Sequence, residues 1–378
     1  MKFPEKLAQK IDQRVQKNAL RTLQSHNNGI DFATNDYLGL CQSSLLFDQV
    51  HTFLISQNIK KNGATGSRLL TGNSPLYEAT EQFIAQFHQA EAALIFNSGY
   101  DANVGFFSSV PQKGDVILFD EFIHASIRDG IAISFAKSYK FKHNDCDDLE
   151  RLLLQNQNTT VYVVTESVFS MDGDTPNLEN MAAIVAKHKA YFVIDEAHAL
   201  GVFGTKGVGL VQNLGLEHTV FARIITFGKG LGCHGAAILG SHQLKQYLVN
   251  FARSLIYTTG LSPHAVATIL MAYQYLDKQP NELALLRQNI LYFNQQKQQT
   301  GLKPMFIYSK SAIHSIVIPG NDKVRNIATN LQNKGFNIKA ILSPTVPEGQ
   351  ERLRFCIHAY NTFDDIDTVL HTLSQCIF

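Results

Sequence analysis

Three short apolar runs recur through the middle of the chain: Val161–Thr165 (VYVVT), Tyr191–Asp195 (YFVID) and Arg223–Phe227 (RIITF). Their starts lie about thirty residues apart, the usual length of a strand–helix–strand unit. Similar runs stand at Ala92–Phe96, Val116–Phe119 and Ala236–Leu239. The central runs are continuously apolar rather than alternating, which predicts strands covered on both faces in a mostly parallel sheet. The expected fold class is therefore α/β, with functional groups gathered at the carboxyl ends of the strands.

The flanks follow other periods. Residues 1–25 read as a charged helix ending before the turn residues His26-Asn27-Asn28-Gly29. Residues 75–88 read as an amphipathic helix with Leu76, Ala79, Phe83, Ile84 and Phe87 on one face, Ser74 as N-cap and Pro75 at the first position. A long helical stretch at 262–300 precedes a second strand–helix pattern: SAIHSIVI, DKVRNIATNLQNKG, FNIKAI, RLRFCIHA and a final helix. A chain of 378 residues has room for about two domains. The expected division is an N-terminal segment 1–45, a large domain 46–280 and a smaller C-terminal α/β domain 281–378.

Composition narrows the class of function. A net charge of +1 gives no reason to expect nucleic acid or an anionic membrane surface as partner. No apolar run reaches membrane-spanning length, and the polar start MKFPEKLAQKIDQRVQK lacks the apolar stretch of a signal peptide. Cys41, Cys146, Cys233, Cys356 and Cys376 are odd in number and show no zinc-like spacing. The expectation is a cytoplasmic protein with reduced thiols and no metal.

Three strand ends carry unusual polar groups. YFVID runs into Glu196-Ala197-His198, which puts Asp195 at a strand terminus with His198 just beyond it. A carboxylate there suits a protonated ring nitrogen; it also suits a turn cap, or half of a metal pair without an evident third ligand. RIITF ends in Gly228-Lys229-Gly230-Leu231-Gly232, a lysine among glycines and apolar residues. Such a lysine can reach a bound aldehyde, and partial burial favours the neutral amine that Schiff-base chemistry needs. AALIF leads into Asn97-Ser98-Gly99-Tyr100-Asp101-Ala102-Asn103, small residues at a strand-to-helix turn whose backbone N–H groups can hold a phosphate. Tyr100 or His124 could stack on an aromatic cofactor, although taken singly a tyrosine is more often packing and a histidine a satisfied surface group.

In order along the chain, NSGYDAN, DEFIHASIRDG, TESVFSMDGD, VIDEAHALG and TFGKGLGCHGAAI resemble motifs of the α-oxoamine synthases, enzymes that use pyridoxal 5'-phosphate. The resemblance runs from ALR at residues 19–21 and NDYLGL at 35–40 to TVPEGQERLRF at 345–355. It implies the aspartate-aminotransferase type of fold (pyridoxal-phosphate fold type I) and a homodimer. It also implies decarboxylative condensation of a small amino acid with an acyl thioester. By that resemblance Lys229 carries the cofactor and moves the proton at the substrate α-carbon. Asp195 holds the pyridinium nitrogen, His198 bonds the ring oxygen and His124 stacks on the ring. Ser170 and Thr226 make polar contacts to the cofactor, and Gly99 and Tyr100 lie at its phosphate. Arg354 pairs with the amino-acid carboxylate, with Arg21, Asn35 and Thr345 near substrate. A non-catalytic partner or regulator on the same fold would be expected to lose Lys229, which is present.

Overall fold

The computed structural model describes residues 3–21, 23 and 29–378. Among them the strands are, in chain order, β1 (Ile30–Asp31), β2 (Ala92–Phe96), β3 (Val116–Asp120), β4 (Lys137–Phe141), β5 (Val161–Glu166) and β6 (Tyr191–Asp195). They continue with β7 (Ala222–Thr226), β8 (Ala236–Gly240), β9 (Ile313–Val317), β10 (Phe336–Asn337), β11 (Lys339–Ile341) and β12 (Arg352–Cys356).

The chain forms two compact units. The large one comprises Asn35–Ser170 and Asp174–Arg287. Its sheet has the order β2-β8-β7-β6-β5-β3-β4, parallel except for β8, which runs antiparallel to both neighbours. Successive residues of each central strand enter opposite cores. Val164 and Val193 join Phe106 and Ile127 on one face, while Val163, Phe192 and Ile194 join Leu149, Met181 and Val185 on the other. Double coverage is why these strands read as unbroken apolar runs. From β3 the chain moves outward to β4, then returns to build β5, β6 and β7 on the other side. The reversal lies between β3 and β5, and ligand crevices open beyond the carboxyl ends of strands at such a point.

The smaller unit comprises residues 1–34, Met171–Gly173 and Gln288–Phe378. Its antiparallel sheet has the order β11-β12-β9, and β1 pairs in parallel with β10. That pairing takes residues 1–34 into the C-terminal unit, so the expected segment 1–45 is divided between the two units. The observed break near the expected 280/281 boundary falls at 287/288.

The local expectations differ from the structure in instructive places. The expected helix at 1–25 spans Glu5–Gln16; residues 1, 2, 22, 24 and 25, with the turn at 26–28, lie outside the described residues. Pro75 begins the helix Pro75–Phe87, but the Ser74 side chain accepts no hydrogen bond there. The stretch at 262–300 is two helices, Pro263–Asp277 and Asn281–Gln299, because Pro280 cannot continue the first. No helix among the described residues is long and apolar enough to cross a membrane.

Candidate active site

A cavity of about 300 Å³ opens at the carboxyl ends of the large unit's strands. Its wall includes Lys229, Asp195, His198, His124 and Thr226, together with Asn35 and the turn Ser98-Gly99-Tyr100. These candidates are separated widely in sequence and meet because their strands are neighbours.

Asp195 ends β6 and is 4% exposed. Its Oδ2 accepts from Asn103 Nδ2 at 2.9 Å and its Oδ1 from the Ala197 N–H at 2.9 Å. Asn103 also donates to Ser126 Oγ at 3.0 Å, and that hydroxyl lies 2.7 Å from His124 Nδ1. A polar chain thus links the carboxylate to the imidazole. His124 Nδ1 also accepts from the Ser126 N–H at 3.2 Å, which leaves Nε2 to carry the proton of a neutral ring. Desolvation lowers the His124 pKa; the Asp195 charge opposes this and the Lys229 charge adds to it.

His198 is buried with Nδ1 2.6 Å from the Tyr37 hydroxyl, whose oxygen lies 3.3 Å from Asn35 Oδ1. Lys229 is half-buried in the loop after β7, which the Cys233 N–H closes onto the Phe227 carbonyl at 2.8 Å. A Cβ on Gly230 would meet the Leu200 carbonyl oxygen at 2.2 Å, so a glycine is required beside the lysine. The helix Gly99–Ser109 points its N-terminus at the cavity, with Ser98 Oγ accepting from the Asp101 N–H at 3.0 Å. A Cβ on Gly99 would lie 2.5 Å from Thr226 Cγ2; the turn is a cradle that any side chain would fill. Tyr100 is half exposed and donates to Asp129.

Ser170 lies half-buried in the turn following β5, outside the lining of this cavity. Arg354 is half-buried on β12, in register with Ser315 and Lys339 of the small sheet. Arg21 Nη2 donates to Thr345 Oγ1 at 3.4 Å, which brings two substrate-side candidates together in the small unit.

Three contributors escaped the sequence reading. Asn103 sits four positions after Gly99 on one helix face, the only local signal for it. Tyr37 lies in a loop. Glu166 ends β5 opposite Asp195 in the parallel ladder, lines the cavity and accepts from the His124 N–H at 2.5 Å. Burial raises the Glu166 pKa well above the carboxylate range; Asp195 adds to the rise while Lys229 and the His124 N–H oppose it.

A carboxylate fixed at a strand end, a lysine at the next strand, an imidazole and a helix N-terminus above a glycine cradle form the donor set for a phosphorylated pyridine aldehyde. Residues 27–373 match the family model described as aminotransferase class I and II.

The chain belongs to the class I and II aminotransferase family.

Within that family it is a pyridoxal-phosphate-dependent acyltransferase of the α-oxoamine synthase group. The 8-amino-7-oxononanoate synthase of Emericella nidulans is 41% identical over 371 residues, covering 92% of this chain and 89% of that protein. The structure of a variant of S. paucimobilis serine palmitoyltransferase with a bound PLP–myriocin aldimine superposes with a TM-score of 0.88 at 26% identity, covering 98% of this chain and 96% of that one. The 8-amino-7-oxononanoate synthase of Francisella tularensis gives 0.77 at 30% identity, covering 92% and 97%. The cofactor is pyridoxal 5'-phosphate, and the cavity residues fit it.

Proposed function

We propose that this acyltransferase condenses L-alanine with a pimeloyl thioester, on coenzyme A or a carrier protein. The products are 8-amino-7-oxononanoate, carbon dioxide and free thiol, in biotin synthesis. The observation that carries this reading is the 41% identity to a named 8-amino-7-oxononanoate synthase along nearly the whole chain.

When bound, pyridoxal phosphate supplies an electron sink for charge developing at the substrate α-carbon. Lys229 would hold the cofactor and move the proton at the substrate α-carbon, a task that needs its amine neutral. Asp195, held by Asn103 and the Ala197 N–H, would pair with the pyridinium nitrogen. His198, braced by Tyr37, would hydrogen-bond the ring oxygen, and His124 would stack on the ring. The turn at Gly99 and Tyr100, with Thr226, would receive the phosphate. Arg354 pairs with the amino-acid carboxylate, a task that suits a planar guanidinium, with Asn35, Arg21 and Thr345 on the substrate side.

We read the working form as a cytoplasmic homodimer in which Thr258 and Thr259 reach the neighbouring subunit. Asn97 Nδ2 steadies that stretch through Thr258 Oγ1 at 3.2 Å and the Thr259 carbonyl at 2.7 Å. Sedimentation at the mass of a single chain under assay conditions would remove this part.

The higher TM-score to serine palmitoyltransferase favours a second reading, a long-chain acyl donor with serine. One assay separates the two: thiol release from pimeloyl-CoA with alanine, against palmitoyl-CoA with serine. Release from the first pair alone supports the proposal. Release from the second alone replaces it.

A further inference from the structure

One polar cluster of the large unit lies outside the cavity and is not used by the reaction described above. His143, just past β4, has Nδ1 2.9 Å from Asp120 Oδ1 and Nε2 2.8 Å from Asp174 Oδ2. Both ring nitrogens face carboxylate oxygens, an arrangement that suits an imidazolium donating to both; Asn144 Nδ2 also lies 3.1 Å from Nε2. Burial works against that charge, but the hydrogen bonds and charges of Asp120 and Asp174 outweigh it and push the His143 pKa to about 10. The ring packs on Phe122 at 4.4 Å, with the edge of Phe169 at 4.5 Å.

The same segment holds the backbone that leads to His124. Asp120, fully buried at the end of β3, accepts from the Phe122 N–H at 2.8 Å and from the Asn144 N–H at 2.8 Å. Glu121 Oε1 accepts from the His143 N–H at 3.2 Å. Asn144 takes up a left-handed φ of 55° and donates to Asp174 Oδ2 at 2.7 Å. Residues 120–122 are therefore tied to 143–144 at several points, and His124 follows two residues later, its own N–H on Glu166.

We propose that His143 is a positioning residue for His124: clamped between Asp120 and Asp174, its ring sets the course of the 120–124 loop and so the pose of the His124 imidazole in the cavity. The proposal rests on the reading of His124 as the group that covers the cofactor ring. Without His143, Asp120 and Asp174 would be two carboxylates with no cation between them, and the loop would relax. A displacement of about 1 Å at a group that orients a reacting centre costs up to about a hundredfold in rate.

The test uses the holoenzyme and compares His143→Gln with His124→Ala. The readouts are visible circular dichroism of the cofactor band, kcat, KM for the thioester and the melting temperature, taken well below melting. The expected result is a changed cofactor band in both variants. In His143→Gln, kcat falls about tenfold to a hundredfold while KM for the thioester is kept. If His143→Gln does not fold, the charge-balanced pair His143→Gln with Asp174→Asn is measured instead, with the same expectation. A folded variant that melts lower yet keeps the wild-type band and kcat, while His124→Ala alters both, overturns the proposal and leaves the role of His124 standing. A wild-type band in His124→Ala overturns the reading of His124 and this proposal with it.

Discussion

In the large unit the His143 ring lies between two carboxylates, 2.9 Å from Asp120 and 2.8 Å from Asp174; in the small unit Lys297 is 3% exposed with its Nζ 3.2 Å from the His314 ring. Burial opposes the charge at both positions. Ion pairing and hydrogen bonds overcome it at His143, whereas Lys297, with no ion-pair partner among the described residues, is lowered to about 8 by burial and by Lys303. The Lys297 ammonium lies over the Phe306 and Phe293 rings, 4.8 and 5.6 Å from their centroids, a weaker compensation than a carboxylate. Burial and the Lys297 charge together pull His314 well below the usual histidine value. The small unit does pair Arg352 with Asp172, so the contrast is local. What it teaches is where each architecture collects charge. Parallel strands bring polar termini to one edge, where carboxylates meet cations; Lys297 is buried on a helix face against the His314 ring, with no carboxylate paired to it among the described residues.

The largest expected effects test which unit makes and breaks bonds. Lys229→Ala, in the large unit, should abolish turnover even with cofactor bound, as read by thiol release; normal activity there would sink the assignment. Arg354→Ala, in the small unit, should weaken amino-acid binding by about 1.5–3 kcal/mol, the worth of a charged hydrogen-bonded pair. Titration with alanine at the cofactor band checks it, and an unchanged affinity would take recognition away from Arg354.

The pH dependence of stability sharpens the contrast. The His143 pKa is raised by folding, so its contribution is complete below the ordinary value of 6.5 and lost as pH rises toward about 10. The gap in urea midpoint between wild type and His143→Gln should therefore be widest near about pH 6 and narrow by about pH 9.5. The Lys297 pKa is depressed, so its contribution is present above 10.5 and lost as pH falls through about 8. Smallest of all, Lys297→Met should stabilise the protein by about 1–2 kcal/mol near neutral pH, with the gain shrinking as pH rises. A destabilised Lys297→Met protein would show that the aromatic cage, not burial, governs that site.

Much of the fold is legible in the sequence. Ala92–Phe96 and Tyr191–Asp195 are strands to the residue because their runs are buried throughout the strand or nearly so. Lys137–Phe141 carries no apolar run to read, because four of its five residues are exposed on an edge strand. Arg223–Phe227 was read one residue late, and the antiparallel direction of β8 has no signature in its own composition.

The site divides along the same line. Lys229, Asp195 and His198 stood out because each departs from its neighbours at a strand end, a property of a few adjacent residues. Asn103, Glu166 and Tyr37 did not, since a mid-helix amide, a strand-end acid and a loop tyrosine look ordinary where they stand. Their meaning comes from partners 92, 42 and 161 residues away, at Asp195, His124 and His198. The amino-acid sequence by itself determined which segments become buried strands and which polar groups end them, because periodicity and turn composition act over a few neighbouring residues. Only the tertiary structure decided which of those groups meet, because a hydrogen bond between distant residues depends on strand order and register, and those are settled by packing the whole sheet at once.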